Sequence, residues 1–191
     1  MSKVIQKAID YAVGIAKDNS HGYSQGSTRW GNPDFDCSAL VISAWETAGV
    51  KVKTAGATYT GNMRKVFLKK GFTDIVKSVN LRTGYGLIPG DVLLREGKHT
   101  AMYIGNKQIV HASINELGKI VGGKSGDQTG KEICTRSYYN YPWNSVLRYP
   151  DEVVLTEFQK AFGLDADNVA GPVTKDKMKA VLKLINKYVK G

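Results

Sequence analysis

The spacing of hydrophobic and polar positions divides the 191-residue chain into a helical first part and a strand-rich second part. Residues 2–17 carry apolar positions at helical spacing, interrupted by Lys and Asp, and predict an amphipathic helix. The segment SALVISAWETAG predicts a second helix with a buried face of small apolar residues, ended by Gly49. A third helix is predicted near TYTGNMRKVFLKKG, with Gly71 at its end.

Beyond residue 90 the pattern changes to the alternation that is typical of β-strands. Three antiparallel strands are predicted at about 91–95, 99–104 and 108–113, and further strands within KEICTRSYY and NSVLRY. Helices followed by a meander of strands indicate an α+β domain.

Tyr149-Pro150-Asp151 marks a predicted boundary between a main domain, 1–150, and a short segment, 151–191. Within this segment, EVVLTEFQKAFGL and TKDKMKAVLKLINKYVK predict two helices joined by DADNVAGPV. About 40 residues are marginal for independent folding. The segment is therefore expected to pack on the main domain or on a ligand.

Composition restricts the possible classes of protein. Hydrophobic residues make up 42% of the chain, but no run of about 18 apolar residues exists, so no membrane span is expected. The N-terminal helix lacks the features of a signal peptide, so synthesis in a cytoplasm is expected. Two cysteines without CxxC spacing predict neither a disulfide framework nor a structural zinc site.

The formal net charge of +10 indicates a polyanionic partner. Residues 151–191 hold seven Lys and six Asp or Glu, giving 7 − 6 = +1, so residues 1–150 carry the remaining +9. Nucleic acid, an anionic membrane surface and an anionic cell-wall polymer are the candidate partners. Because the basic residues are scattered rather than clustered, nucleic acid is disfavoured.

The segment DFDCSALV places Cys37 at the predicted start of the second helix. Free backbone N–H groups and the helix dipole at this position favour a thiolate and can stabilise an oxyanion. Asp36 is a suitable N-cap residue, and its carboxylate is expected to point away from the sulfur or to bind a substrate amine. The alternative is that Cys37 is a small, buried and inert side chain.

A nucleophilic cysteine needs a base, for which His21, His99 and His111 are the candidates. A three-residue loop, 105–107, would place His111 opposite Ala101 and on the same sheet face as His99. A two-residue loop at 105–106 would put the two histidines on opposite faces. In the first case His99 is the base and His111 orients it, whereas His21 is expected to be a solvated loop residue.

FDCSALV followed by PGDVLLREGKHTAMYIGNKQIVHAS resembles the signature of the NlpC-type papain-like cysteine peptidases that cut peptidoglycan stem peptides. The resemblance covers roughly residues 2–150 and departs from the family pattern at Ala39, where Gly is usual. It implies a papain-like α+β fold in which N-terminal helices pack on an antiparallel sheet. It also implies catalytic roles for Cys37 (nucleophile), His99 (base) and His111 (orienting residue), and oxyanion or substrate-binding roles for Tyr23, Asp36 and Ser38.

The implied function is that of a peptidoglycan hydrolase of the endolysin type, which cleaves an amide bond in the stem or cross-bridge peptide without a metal or cofactor. The segment GDQTGKEICTRSYYNYPWNSVLRY resembles the end of the catalytic domain of phage endolysins, some of which are amidases. An N-acetylmuramoyl-L-alanine amidase, a non-catalytic wall-binding protein and an acyltransferase therefore stay open. The expected partners are bacterial peptidoglycan and anionic wall polymers, and the chain is expected to be a monomer that acts on the wall after release from the host cytoplasm.

The segment EFQKAFGLDADNVAGPVTKDKM resembles the Gly-Pro-x-Thr half of a small helical peptidoglycan-binding module. The resemblance implies that residues 151–191 form a helical hairpin that binds the cell wall. The alternative is a hairpin that packs on the catalytic domain or mediates self-association.

Overall fold

The computed structural model describes residues 1–151, 158–165 and 171–188. Its helices are α1 (Lys3–Ile15), α2 (Cys37–Thr47), α3 (Thr60–Lys69) and α4 (Pro172–Tyr188), with a 3-10 turn at Val76–Ser78. Its strands are β1 (Thr73–Asp74), β2 (Val92–Arg95), β3 (His99–Gly105), β4 (Gln108–Ala112), β5 (Ile133–Ser137) and β6 (Ser145–Arg148).

The first two helices form where the apolar pattern predicts them. Helix α1 buries Ile5, Ala8, Ile9 and Ala12, whose spacing of three and four residues forms one helical stripe. Helix α2 buries all nine residues from Cys37 to Trp45, including the predicted face of Ala39, Leu40, Ile42, Ser43 and Ala44. Because its buried surface extends around the whole helix, α2 is a central core element.

The strands form one antiparallel sheet in the order β1-β6-β2-β3-β4-β5. Helices α1 and α2 lie on this sheet, and α2 contacts β3 and β4. The predicted α+β class, with helices packed on an antiparallel sheet, is confirmed. The two-residue strand β1, which pairs with β6, is too short to leave an alternating pattern and was not predicted.

The two faces of the sheet bury different side chains. The face toward the helices includes Met102 and Val110 and belongs to the main core. The other face includes Ala101, Ile109 and Trp143 in a second, smaller cluster. Side chains alternate between the two faces along a strand, so residues 99 and 111 lie on the same face of the sheet as this second cluster.

The turn between β3 and β4 determines whether residues 99 and 111 lie on the same face of the sheet. It differs from the predicted three-residue loop. Asn106 and Lys107 both have positive φ, as a two-residue type I′ turn requires, and Gly105 pairs with Gln108. The register then shifts by one at Ile104, which is a β-bulge. The bulge restores the predicted register, in which residue 111 lies opposite residue 101.

Buried carboxylates fix the loop that precedes α2. Asp34 accepts hydrogen bonds from the backbone N–H groups of Gly22 and Gly126, both at 3.0 Å. Glu132, which is fully buried, accepts from the backbone N–H of Tyr23 at 3.0 Å and of Gln128 at 2.9 Å. Segments distant in sequence are thereby joined beside the start of α2.

The chain divides into two units, residues 3–150 and residues 151–191 together with Met1–Ser2. In the second unit, residues 158–161 are helical, and α4 begins at Pro172, the residue type that favours the first helical position. Residues 152–157, 166–170 and 189–191 of the predicted hairpin lie outside the described residues. Over the part of the chain that is described, no helix has both the length and the apolarity that crossing a bilayer requires.

Candidate active site

Cys37 is the first residue of α2, and its side chain is almost fully buried, with 4% of its surface exposed. Backbone hydrogen bonds from Thr100, Ser38 and Cys37 itself favour the thiolate form. Thr100 is the second residue of β3 and follows His99 directly. The thiol therefore lies against the backbone of the strand that carries the predicted base.

The prediction that the start of α2 favours a thiolate at Cys37 is wrong for the protein without substrate. Burial raises the pKa of Cys37 to about 12, and the nearby Asp36 carboxylate raises it further. The backbone N–H groups oppose this shift but do not overcome it. The resting side chain is a neutral thiol, because desolvation outweighs the field at the start of the helix.

The Asp36 carboxylate, expected to point away from the sulfur or to bind a substrate amine, is held by three groups of the protein itself. Asp36 Oδ1 accepts from the backbone N–H of Ala39 and from Ser38 Oγ, both at 2.7 Å, which confirms Asp36 as the N-cap. Its Oδ2 pairs with the guanidinium of Arg29. These contacts fix Asp36 and Ser38 at the wall of a cavity of about 180 Å³ that Cys37 also lines.

His99 and His111 are brought together as predicted. His99 Nε2 and His111 Nδ1 are 3.0 Å apart, which is a hydrogen-bond distance. Burial lowers the pKa of His99 to about 4, and burial, followed by the charges of His99 and Arg136, lowers that of His111 to about 3. Both imidazoles are therefore neutral near pH 7, and the pairing leaves Nδ1 of His99 to accept a proton.

Aromatic side chains hold the His99 ring in place. Trp143 stacks on it at 5.8 Å between ring centroids with an interplanar angle of 22°, and Tyr141 contacts it edge-on at 5.6 Å. Sequence reasoning did not assign this role, although the density of aromatics at 138–143 was a signal for a packed cluster. The sequence around Arg29 has no comparable feature that would have predicted its pairing with Asp36.

Tyr23 lies in the loop before α2, is 4% exposed, and is close enough to Cys37 for the two groups to interact electrostatically. Burial raises the pKa of its phenol, so the O–H stays protonated. Its Oη accepts a hydrogen bond from Gln25 Nε2 at 2.9 Å. Tyr23 thus lies near the thiol and keeps its phenol protonated.

The remaining histidine and cysteine lie elsewhere. His21 is half-buried rather than fully solvated, because its Nδ1 bonds to the carbonyl oxygen of Pro33. Cys134 is half-buried on β5 and lies opposite His111. Among the described residues, no group of three or more His, Cys, Asp or Glu side chains is arranged to hold a metal ion.

A family model described as "Endolysin-like domain" matches residues 31–108 and 109–182. The chain belongs to the endolysin-like domain family. The match includes Cys37, His99 and His111 and extends into α4. No curated protein matches this endolysin-like chain.

Three solved structures with a similar fold are 17–20% identical in sequence to this endolysin-like protein. NlpC1 from Trichomonas vaginalis is 17% identical with a TM-score of 0.46, over 78% of this chain and 45% of that one. The peptidoglycan hydrolase RipB from Mycobacterium tuberculosis is 18% identical with a TM-score of 0.46, over 77% of this chain and 67% of that one. The resuscitation promoting factor interacting protein RipA is 20% identical with a TM-score of 0.47, over 78% and 65%. The chain therefore spans about half the length of NlpC1 and two thirds of the other two.

Proposed function

We propose that this endolysin-like chain is a peptidoglycan hydrolase that cleaves an amide bond with Cys37 as nucleophile and His99 as base. One observation carries the proposal. The Cys37 thiol contacts the backbone of Thr100, and the preceding residue, His99, is hydrogen-bonded at 3.0 Å to His111. A nucleophile, a base and an orienting group in this order are the parts that cysteine-dependent acyl transfer requires.

The neutral resting state determines the order of proton transfer. As the Cys37 sulfur attacks the amide carbonyl, its proton passes to Nδ1 of His99, and a tetrahedral oxyanion forms. Backbone N–H groups at the start of α2, with the Tyr23 O–H, stabilise that oxyanion. His99 then gives the proton to the leaving amine, and a water molecule activated by the same histidine hydrolyses the thioester.

The substrate bond is an amide of the stem or cross-bridge peptide. Asp36 and Ser38 line the cavity that Cys37 shares with Arg29 and Tyr59. Asp36 already accepts hydrogen bonds from Ala39, Ser38 and Arg29, so its proposed part is to hold Ser38 and Arg29 at the cavity wall, where they meet polar groups of the peptide. The amidase and the wall-binding alternatives predict different products, so one experiment separates them.

The test is digestion of purified Gram-positive cell walls with the wild-type chain and with Cys37→Ala, followed by mass spectrometry of the released fragments. We expect the wild type to release fragments with cut peptides, and Cys37→Ala to release none, since this substitution removes the proposed nucleophile. Ser78→Ala, at an exposed position, is the matched control and should behave as the wild type. Thermal melting establishes that each variant is folded.

Three results would change the proposal. Release by folded Cys37→Ala at the wild-type rate would exclude Cys37 as the nucleophile. Intact peptides together with free lactyl ends on muramic acid would identify an amidase. No release by the wild type from several kinds of wall would favour a binding protein.

A further inference from the structure

A second cavity, of about 500 Å³, opens beside His111 at the edge of the sheet formed by β5. It is distinct from the cavity at Cys37, and its lining includes His111, the residue proposed above to orient the base. Its polar lining consists of His111, Ser113, Lys131, Cys134, Thr135 and Arg136. Two cations, an imidazole and a thiol therefore border one space.

The pairing of β4 with β5 determines which side chains meet there. His111 lies directly opposite Cys134, so Arg136, two residues further along β5, is its diagonal neighbour on the same face. The Arg136 guanidinium lies 4.7 Å from the centre of the Tyr139 ring, which in turn lies 6.2 Å from that of His111. The stacked ring limits the positions that the guanidinium can adopt.

His111 Nε2 is the feature that points to a ligand. His111 is 1% exposed, and its Nε2 has no hydrogen-bond partner among the residues that the structure describes. If His99 Nδ1 accepts the thiol proton, His99 Nε2 carries hydrogen and donates to His111 Nδ1. His111 must then carry its own proton on Nε2, so this buried N–H lacks an acceptor, and leaving a donor unpaired is costly.

The charges around the cavity favour an anionic acceptor. Lys131 and Arg136 both act electrostatically on the Cys134 thiol, as does the carboxylate of Asp127. Asp127 is already occupied, because it accepts hydrogen bonds from the backbone N–H groups of Thr129, Lys131, Glu132 and Ile133. The two cations consequently retain the capacity to bind a further anion.

We propose that this cavity binds a carboxylate, which accepts a hydrogen bond from His111 Nε2–H and is held by Arg136 and Lys131. A planar carboxylate matches the fork of the guanidinium and leaves lone pairs for the hydroxyl group of Ser113. The carboxylate has two possible sources, a small anion in solution or a free carboxylate of a wall peptide. The consequence for catalysis, though not the binding itself, rests on the proposed function.

A bound carboxylate makes His99 a stronger base. The groups that face the histidine pair are Tyr141 and Trp143 on the side of His99, and Arg136, Cys134 and Tyr139 on the side of His111. Lys131, which lines the same cavity as His111, and Arg136 are charged at neutral pH, and the charge of Arg136 opposes protonation of His111. The anion compensates this charge and stabilises the imidazolium that forms during attack, so it acts as a positioning and electrostatic group.

The test is a titration of the full chain, with ¹⁵N-labelled histidine, followed by NMR of the imidazole nitrogens. Sodium acetate is added at constant ionic strength against sodium chloride. At about pH 7, where acetate is ionised, we expect a saturable shift of the His111 Nε2 resonance with acetate and no change at His21. Arg136→Gln should weaken acetate binding by about tenfold, whereas Arg82→Gln, at an exposed position, should not.

A second pair of titrations separates the two sources of the carboxylate. N-acetyl-alanyl-alanine is compared with its C-terminal amide, and we expect only the free acid to shift His111. Equal shifts with chloride and acetate, an acetate affinity that Arg136→Gln leaves unchanged, or a response to phosphate without one to acetate would each overturn the proposal. The readout needs no wall hydrolysis, so a chain that binds acetate but cuts no wall would contradict the proposed function alone.

Discussion

Cys37 and His99, the proposed nucleophile and base, are both uncharged at rest. The pKa of the thiol is raised to about 12 and that of the imidazole lowered to about 4, and burial is the main cause of both. An ion pair between them is therefore unfavourable before substrate arrives. Protonation of His99 has to be coupled to attack, which makes the orientation of its ring important.

The two histidines should differ in their contribution to activity. We expect His99→Ala to lower the rate of wall digestion by at least about 100-fold, since it removes the general base. His111→Ala should lower it by only about tenfold, because this residue orients the base without touching the substrate. Initial rates of fragment release measure both. Equal losses would show that His111 takes part in proton transfer itself.

The buried histidines also make stability depend on pH. The folded-state pKa of His111, about 3, lies below its ordinary value of 6.5, so between these values the unfolded chain binds more protons than the folded one. The free energy of unfolding should therefore fall as the pH is lowered from about 6.5 towards 3. Urea denaturation at several pH values measures this, and His111→Asn should flatten the dependence. An unchanged slope in that variant would assign the effect to other groups.

At the scale of elements, the hairpin between β3 and β4 shows how a local detail controls the site. The alternating pattern predicts both strands, but the two-residue turn alone would place the histidines on opposite faces. The bulge at Ile104 corrects the register and brings His99 and His111 to one face. Neither bulge nor turn type follows from alternation, because Gly105-Asn106-Lys107 is compatible with more than one connection.

Glu132 should be a stability determinant of the loop before α2. Its two carboxylate oxygens accept from the backbone N–H groups of Tyr23 and Gln128, and the residue is fully buried. We expect Glu132→Ala to lower the free energy of unfolding by about 1–3 kcal/mol for each donor left without a partner. Urea denaturation measures the loss.

The matched control for that loss is Glu96→Ala, at an exposed carboxylate 3.8 Å from Arg64. Its effect should stay within about 0.5 kcal/mol, as for most surface substitutions. A similar small effect of Glu132→Ala would mean that water replaces the carboxylate in the loop.

At the scale of the whole molecule, the distribution of charge bears on the partner. Residues 1–150 carry +9 of the net +10, and residues 151–191 add +1. If anionic wall polymers attract the protein, the attraction resides mainly in the first 150 residues. The proposed wall binding by residues 151–191 must then depend on shape and hydrogen bonding more than on charge.

Adsorption to walls should accordingly depend on salt. We expect the fraction of protein that sediments with cell walls to fall when sodium chloride is raised from about 0.05 to 0.5 M, because ions screen exposed charges. The inactive Cys37→Ala variant avoids digestion during the measurement. Residues 1–150 alone should keep the same salt dependence, and walls stripped of anionic polymers should abolish it. Adsorption that salt leaves unchanged would argue against an electrostatic contribution.

The residue pattern along the chain was sufficient to predict the helices of the main domain, most of the strands, and Cys37 with two histidines as a candidate site. Those features are encoded locally, in the spacing of apolar residues, in the Asp36 cap and in the motif that resembles NlpC-type peptidases. Other features became visible only in the three-dimensional structure. They are the neutral form of the Cys37 thiol, the partner of Asp36, the stacking of Trp143 on His99 and the cavity at His111. These depend on burial and on contacts between segments far apart in the chain, for which a one-dimensional pattern has no signal.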